Sequence, residues 1–145
     1  MEEHGLYKGW ELRRGPADLT PAQRGELLIQ LEGWAGRLLR IHAEIDLVAD
    51  TGVDFWGPFD LVGAYHGRER IERLLVDCEV SFAVDAIDRL LLSFSEEIGV
   101  AWLASLGLED ERGDGWWWGF VPVRGPLRWE LDDRLRSIGD GSEAR

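Results

Sequence analysis

Apolar residues recur at helical spacing in the first third of the chain. Leu27, Leu31 and Trp34 define one face of a helix. Thr20-Pro21 ahead of it is a typical helix start, because Thr caps the free amides and Pro is tolerated in the first turn. Glycine in a helix costs up to about 1 kcal/mol relative to Ala. Gly33 and Gly36 therefore predict a break, followed by a short second helix over residues 37–42.

The next stretch fits two patterns. The apolar positions from Leu27 to Val48 also fit one long helix, whereas Ile41, Ala43 and Ile45 alternate with polar residues as in a strand. We favour a helix to about residue 42 and a strand over 45–50. An irregular aromatic loop over 53–66 and a third helix over 68–78 follow.

The second half of the chain alternates apolar and polar residues, which favours strands. The predicted strands cover residues 80–94, 99–108, 116–123 and 127–132. The predicted order is helix, helix, strand, helix and then four strands, which indicates an α+β domain over residues 20–138. Residues 1–19 are assigned to an N-terminal arm with a weak strand signal, and residues 139–145 to a frayed tail.

Composition narrows the class of protein. A chain of 145 residues with 45% apolar residues and eight Trp is long enough for one folded domain. No apolar run is long enough to cross a bilayer, and the acidic N-terminus does not resemble a signal peptide. The single Cys78 excludes an internal disulfide. We expect a cytoplasmic protein that does not bind membranes.

The charge is strongly acidic. The formal net charge is −12, and residues 44–97 alone carry thirteen Asp or Glu against four Arg. Nucleic acid is disfavoured as a partner, because its phosphates need a basic face. Two interpretations of the charge stay open, namely solubility and an acidic surface for a basic partner protein.

Three local patterns resemble the SnoaL-like and ketosteroid-isomerase-like superfamily, which has the nuclear-transport-factor-like fold. They are His42-Ala43-Glu44-Ile45-Asp46-Leu47-Val48-Ala49-Asp50, Tyr65-His66-Gly67-Arg68-Glu69-Arg70-Ile71, and Gly119-Phe120-Val121 with Gly125-Pro126-Leu127-Arg128-Trp129. The spacing between the last two is similar to that in limonene epoxide hydrolase. The resemblance implies a curved antiparallel sheet wrapped on about three helices, a conical apolar pocket and a homodimer.

The resemblance also implies a general base at Asp50, the place of the ketosteroid-isomerase Asp at the end of the first strand. Such a base needs a desolvated carboxylate, and Trp56 could supply the desolvation. The alternative is a turn residue, since Asp favours turns. Two departures weaken an isomerase: a Trp of 116–118 stands where the family has its oxyanion-hole Asp, and the partner Tyr has no counterpart.

Three further residues are candidates for acid–base chemistry. Asp132 falls near the Asp that follows the last strand in limonene epoxide hydrolase, although the rest of that enzyme's water-activating set is missing. Alternation places Asp133 in phase with Trp129 and Leu131, so the register of the strand decides between the two acids. His66 is expected near the pocket mouth. For all three, an ordinary solvated side chain is the alternative.

Aromatic residues are the candidates for binding an apolar small molecule. They are Trp56, Trp102, Trp116, Trp118 and Trp129. Packing in the core or in a dimer is the alternative. His42 and Asp46 lack a visible third ligand, so no metal is predicted, and no Gly-rich nucleotide loop indicates an organic cofactor.

These observations favour a cofactor-independent acid–base enzyme, of isomerase, cyclase, dehydratase or epoxide-opening type, acting on an apolar metabolite. A non-catalytic ligand-binding or dimerising domain is the second hypothesis. An acidic inhibitor of a basic protein is the third.

Overall fold

A computed structural model describes residues 20–47, 55–75 and 81–143. Within these ranges the chain is α+β and mostly helical, with one two-stranded antiparallel sheet. The elements are α1 (Pro21–Glu44), α2 (Pro58–Leu75), α3 (Ser81–Phe94), β1 (Ser95–Glu97), β2 (Phe120–Pro122) and α4 (Pro126–Glu143). Three 3₁₀ turns, Ala101–Leu106, Glu109–Glu111 and Trp116–Gly119, lie between β1 and β2. The predicted arm over residues 1–19 lies outside the described residues.

Helix α1 begins where the sequence predicts. The amide of Gln23 donates to Thr20 Oγ1 at 3.1 Å, and the Thr20 amide donates to Gln23 Oε1 at 2.9 Å, which completes a capping box. The predicted break at Gly33 and Gly36 is wrong, because α1 is continuous. Its buried apolar face outweighs the cost of two glycines, and Gly33 leaves room for the Arg37 guanidinium.

The cap makes a first testable prediction. Replacing Thr20 by Ala removes an acceptor for an otherwise free amide, so we expect the free energy of unfolding to fall by about 1 kcal/mol. Urea denaturation measures the loss. Thr20→Ser keeps the hydroxyl and should retain most of the stability, and an equal loss in both variants would argue against the capping box.

Helix α2 is longer than predicted. It begins at Pro58, within the stretch that the sequence analysis assigned to an irregular loop. The Asp60 carboxylate accepts from the Gly57 amide at 2.9 Å and so caps this start. Leu61, Tyr65 and Ile71 point into the core, because their spacing places them on one helical face.

The strand prediction for residues 80–94 is wrong, since Ser81–Phe94 forms α3. Val84, Ile87, Leu91 and Phe94 are buried, and they are three or four residues apart. That spacing is helical, and the shorter alternation in the first half of the segment concealed it.

The later strand predictions are largely wrong as well. Residues 101–106 and 116–119 form 3₁₀ turns, and the predicted last strand lies inside α4, where Leu127 and Leu131 share the buried face. Only Phe120–Pro122, in the predicted strand 116–123, pairs as a strand, with Glu96 opposite Val121. The predicted curved sheet with a conical pocket is therefore not found in the described part of the chain.

Helices α1 and α4 both end at positions that differ from the prediction. Helix α1 ends at Glu44 and Ile45 caps it, while the rest of the predicted strand 45–50 lies largely outside the described ranges. Helix α4 continues to Glu143, through residues that the sequence analysis assigned to the tail.

Aromatic side chains meet where the helices and the 3₁₀ turns pack together. The Tyr65 ring lies 6.0 Å from Trp34, 6.4 Å from Trp102 and 5.5 Å from Trp118, measured between centroids. Burial raises the pKa of the Tyr65 phenol, which donates to the Phe120 carbonyl at 2.6 Å. Tyr65 thus ties α2 to β2. No helix in the described ranges is long and apolar enough to span a membrane.

Candidate functional site

The residues predicted to perform acid–base chemistry lie apart. Asp50 lies outside the described residues. His66 is half-buried on α2, with its ring 5.2 Å from that of Trp118 and its Nε2 3.4 Å from Glu111 Oε1. No hydrogen bond or ion pair within the described ranges joins His66 to Asp132 or Asp133.

Asp132 and Asp133 belong to a helix and not to a strand end. Asp132 accepts from Arg128 Nε at 2.9 Å, and Asp133 lies 3.2 Å from Arg136 Nη2. The strand register that was expected to choose between the two acids therefore does not apply. Each carboxylate is instead paired with an arginine one helical turn away.

The predicted binding tryptophans fall into three environments. Trp102 and Trp118 are buried in the core, where Trp102 Nε1 donates to the Trp118 carbonyl at 2.8 Å. Trp56 is half-buried beneath Arg40, whose guanidinium carbon lies 5.0 Å from the ring centroid. Trp116 and Trp129 are partly exposed, with 43% and 42% of their surface accessible. They do not line one enclosed pocket.

A buried ion pair joins α2 to α3. Arg68 and Asp88 are 4% and 7% exposed. Arg68 Nε and Nη2 donate to the two Asp88 oxygens at 3.0 and 2.8 Å, and Trp34 Nε1 donates to Asp88 Oδ1 at 2.9 Å. Such two-point pairing fixes the plane of the guanidinium.

Two neighbouring carboxylates stabilise the charged form of Arg68. Burial by itself would lower the pKa of Arg68, but hydrogen bonds and charge interactions with Asp88 and Glu72 outweigh burial and raise it. Glu72 contributes through Oε1, which accepts from Arg68 Nη1 at 2.8 Å. Arg68 is therefore a fixed cation held by three protein contacts.

The fixed guanidinium covers a tryptophan. The Arg68 guanidinium carbon lies 4.3 Å from the ring centroid of Trp117, which is 2% exposed. A Cβ added to Gly115 would overlap the same ring, so only glycine lets the backbone approach it there. The Trp117 indole Nε1 is buried, and no described atom accepts a hydrogen bond from it.

An open groove of about 580 Å³ lies over this stack. We call it the Arg68 groove, and its lining residues are Arg68, Glu69, Glu72, Arg73, Asp114, Gly115, Trp116 and Trp117. Helix α2 forms one wall, and the segment from Asp114 to Trp117 forms the other. A concave surface that combines aromatic rings with charged groups is a candidate binding site.

Glu69 holds the two walls of the Arg68 groove together. Its Oε2 accepts from the Gly115 amide at 3.0 Å and from Trp118 Nε1 at 2.8 Å. Both donors lie on the segment opposite α2. The width of the groove is therefore set by side-chain hydrogen bonds within the protein.

A second, shallower groove of about 450 Å³ lies along α4. Two of the predicted site residues, Trp129 and Asp133, line it together with Phe55, Pro126, Glu130 and Arg136. It has no fixed buried charge on its floor comparable to Arg68. The Arg68 groove is thus the better-organised candidate.

Arg68 and Asp88 were not among the site residues predicted from the sequence. The available signal was a charged residue on an apolar helical face: Arg68 precedes Ile71 by three residues, and Asp88 lies beside Ile87 and three residues before Leu91. A charge on a buried face requires a partner. The identity of that partner depends on how α2 and α3 pack.

No known protein family, no curated protein and no solved structure matches this chain. The resemblance to the SnoaL-like superfamily stays a prediction, and so do the homodimer and the apolar ligand that it implies. Within residues 20–47, 55–75 and 81–143, no group of three or more His, Cys, Asp or Glu is arranged to hold a metal ion.

Proposed function

We propose that the protein is a non-catalytic binding domain that holds an extended segment of a partner protein in the Arg68 groove. The observation that carries this proposal is the floor of the groove, where Arg68 is stacked 4.3 Å from Trp117 and is fixed by Asp88 and Glu72. A rigid floor lowers the entropy lost on binding, because the site is already ordered.

The hydrogen bonding of the carboxylates supports binding more than acid–base chemistry. Glu69 and Asp88 accept hydrogen bonds from donors of the protein itself. A general base needs an oxygen within reach of a substrate proton. The acid–base hypothesis depends on Asp50, which lies outside the described residues. Of its other proposed members, Asp132 and Asp133 form ion pairs on α4, and His66 lies apart from them on α2.

The charges between residues 44 and 97 give little support to an inhibitor that acts through one acidic face. Five of the described acids there are paired with arginines, and they lie on different elements. They are Glu44, Asp46, Glu72, Asp88 and Glu96. Pairing reduces the field that each carboxylate projects. A groove that recognises a short segment is favoured over a broad electrostatic surface.

Binding of three peptides tests the proposal. Capped pentapeptides Ser-X-Gly-X-Ser, with X as Arg, Glu or Leu, are titrated into ¹⁵N-labelled protein while the indole N–H signals are followed by NMR. We expect at least one peptide to shift the Trp116 and Trp117 signals. Replacing Trp116 by Ala should weaken that binding roughly fivefold, because a stacked aromatic contact contributes about 1 kcal/mol.

Trp129→Ala is the matched control, because Trp129 is as exposed as Trp116 but lies in the second groove. It should leave binding unchanged. If none of the three peptides shifts Trp116 or Trp117, or if Trp129→Ala removes the binding instead, the Arg68 groove is not the binding site.

A further inference from the structure

Resting on the function proposed above, we infer that the occupant of the Arg68 groove is a cationic segment of a basic partner, with an Arg or Lys side chain placed against Trp116. Two features of the groove favour a cation: an exposed aromatic ring and a surplus of carboxylates. Each of them rests on a separate observation.

The Trp116 ring is held in place and still accessible. Its centroid lies 5.7 Å from that of Trp117 at 75° and 5.4 Å from that of Phe120 at 90°, so two edge-to-face contacts fix it. Its surface is 43% exposed. A fixed tryptophan with an accessible face attracts guanidinium and ammonium groups through its ring quadrupole.

Carboxylates outnumber cations in the lining. Glu69, Glu72 and Asp114 lie with Arg68 and Arg73, and the charge of Arg68 is already countered by Asp88 beneath it. The Glu72 side chain is 59% exposed, and only its Oε1 accepts from Arg68. Asp114 is exposed and makes no ion pair within the described residues. The overall charge of −12 adds to the attraction for a cation.

Arg73 lines the same groove and forms no ion pair within the ranges that the structure describes. Its charge opposes the entry of another cation. We therefore expect Arg73→Gln to strengthen binding of a basic peptide about threefold, and Asp114→Asn to weaken it about threefold, the effect of one exposed charge pair. Both side chains are exposed, so neither change should unfold the protein.

The test compares two peptides that differ only in charge. The Arg pentapeptide and its counterpart with citrulline, the neutral analogue of Arg, are titrated into the full chain with the Trp116 indole signal as readout. We expect the Arg peptide to bind at least tenfold more tightly at 50 mM NaCl, and to weaken as salt rises. Asp110→Asn is the control for Asp114→Asn, because it changes the net charge equally from outside the groove.

The outcomes separate this inference from the proposed function. Equal binding of the Arg and citrulline peptides, preferred binding of the Glu peptide, or equal effects of Asp110→Asn and Asp114→Asn would overturn the inference and leave the groove as a binding site. Failure of every peptide to shift Trp116 would instead contradict the proposed function itself.

Discussion

Replacing Asp88 by Ala is expected to lower the free energy of unfolding by about 3–5 kcal/mol, because it leaves the Arg68 cation buried without its partner. Arg68 is 4% exposed and donates two of its three hydrogen bonds to Asp88. Trp34 Nε1 would lose its acceptor as well. Urea denaturation followed by circular dichroism measures the change.

Two controls accompany the Asp88 experiment. Asp46→Ala breaks the ion pair with Arg124. The Asp46 side chain is 76% exposed and that of Arg124 is 60% exposed, so the change should cost less than about 1 kcal/mol. The double change Arg68→Met with Asp88→Leu should be less destabilising than Asp88→Ala, because it removes both charges together. A small loss in Asp88→Ala would mean that solvent reaches Arg68 after the change.

Replacing Gly125 by Ala is expected to destabilise the protein by about 3 kcal/mol, through an unfavourable backbone conformation and a close backbone contact. Gly125 has a φ of 101° at the start of α4. A Cβ there would lie 2.8 Å from the Ile45 carbonyl oxygen and 2.9 Å from the Ile45 Cα. Because the neighbour is backbone, it cannot turn away, and the end of α1 would have to shift. The midpoint of thermal unfolding should fall accordingly.

Gly107→Ala is the comparison for Gly125→Ala. Gly107 also has a positive φ, of 72°, but no atom lies within 4 Å of the added Cβ. Its cost should be about 1 kcal/mol, that of the left-handed conformation alone. Similar losses in the two variants would show that the approach of Ile45 to Gly125 does not constrain the fold.

The start of α1 was the most predictable part of the fold. Thr20-Pro21 marks the start of α1 in the sequence and in the structure. The strand predictions failed where a short alternation was weighed above a longer spacing, as in α3, whose buried Val84, Ile87, Leu91 and Phe94 follow a helical period. Trp116–Gly119 forms a 3₁₀ turn. The sequence does not indicate it, because three consecutive Trp show no alternation of apolar and polar positions.

The candidate site was less predictable than the fold. Trp116 was identified as a binding residue, and it lines the Arg68 groove. Arg68 and Asp88 are twenty residues apart, on helices whose relative packing no local pattern specifies. The contacts of Glu69 were equally hard to predict, because its two donors, Gly115 and Trp118, lie 46 and 49 positions further along the chain. Local periodicity identifies which face of a helix is buried, whereas these contacts depend on how the elements pack against one another.

The paired strands β1 and β2 have a consequence for how the protein responds to a partner. They join the two ends of one long excursion, residues 98–119, and each strand is only three residues long. One wall of the Arg68 groove belongs to this excursion and the other to α2, and the buried side chains of Trp102, Trp117 and Trp118 hold the excursion against the helices. A partner seated across both walls would therefore meet a wall that is already in place, and its affinity would carry no cost for ordering the excursion.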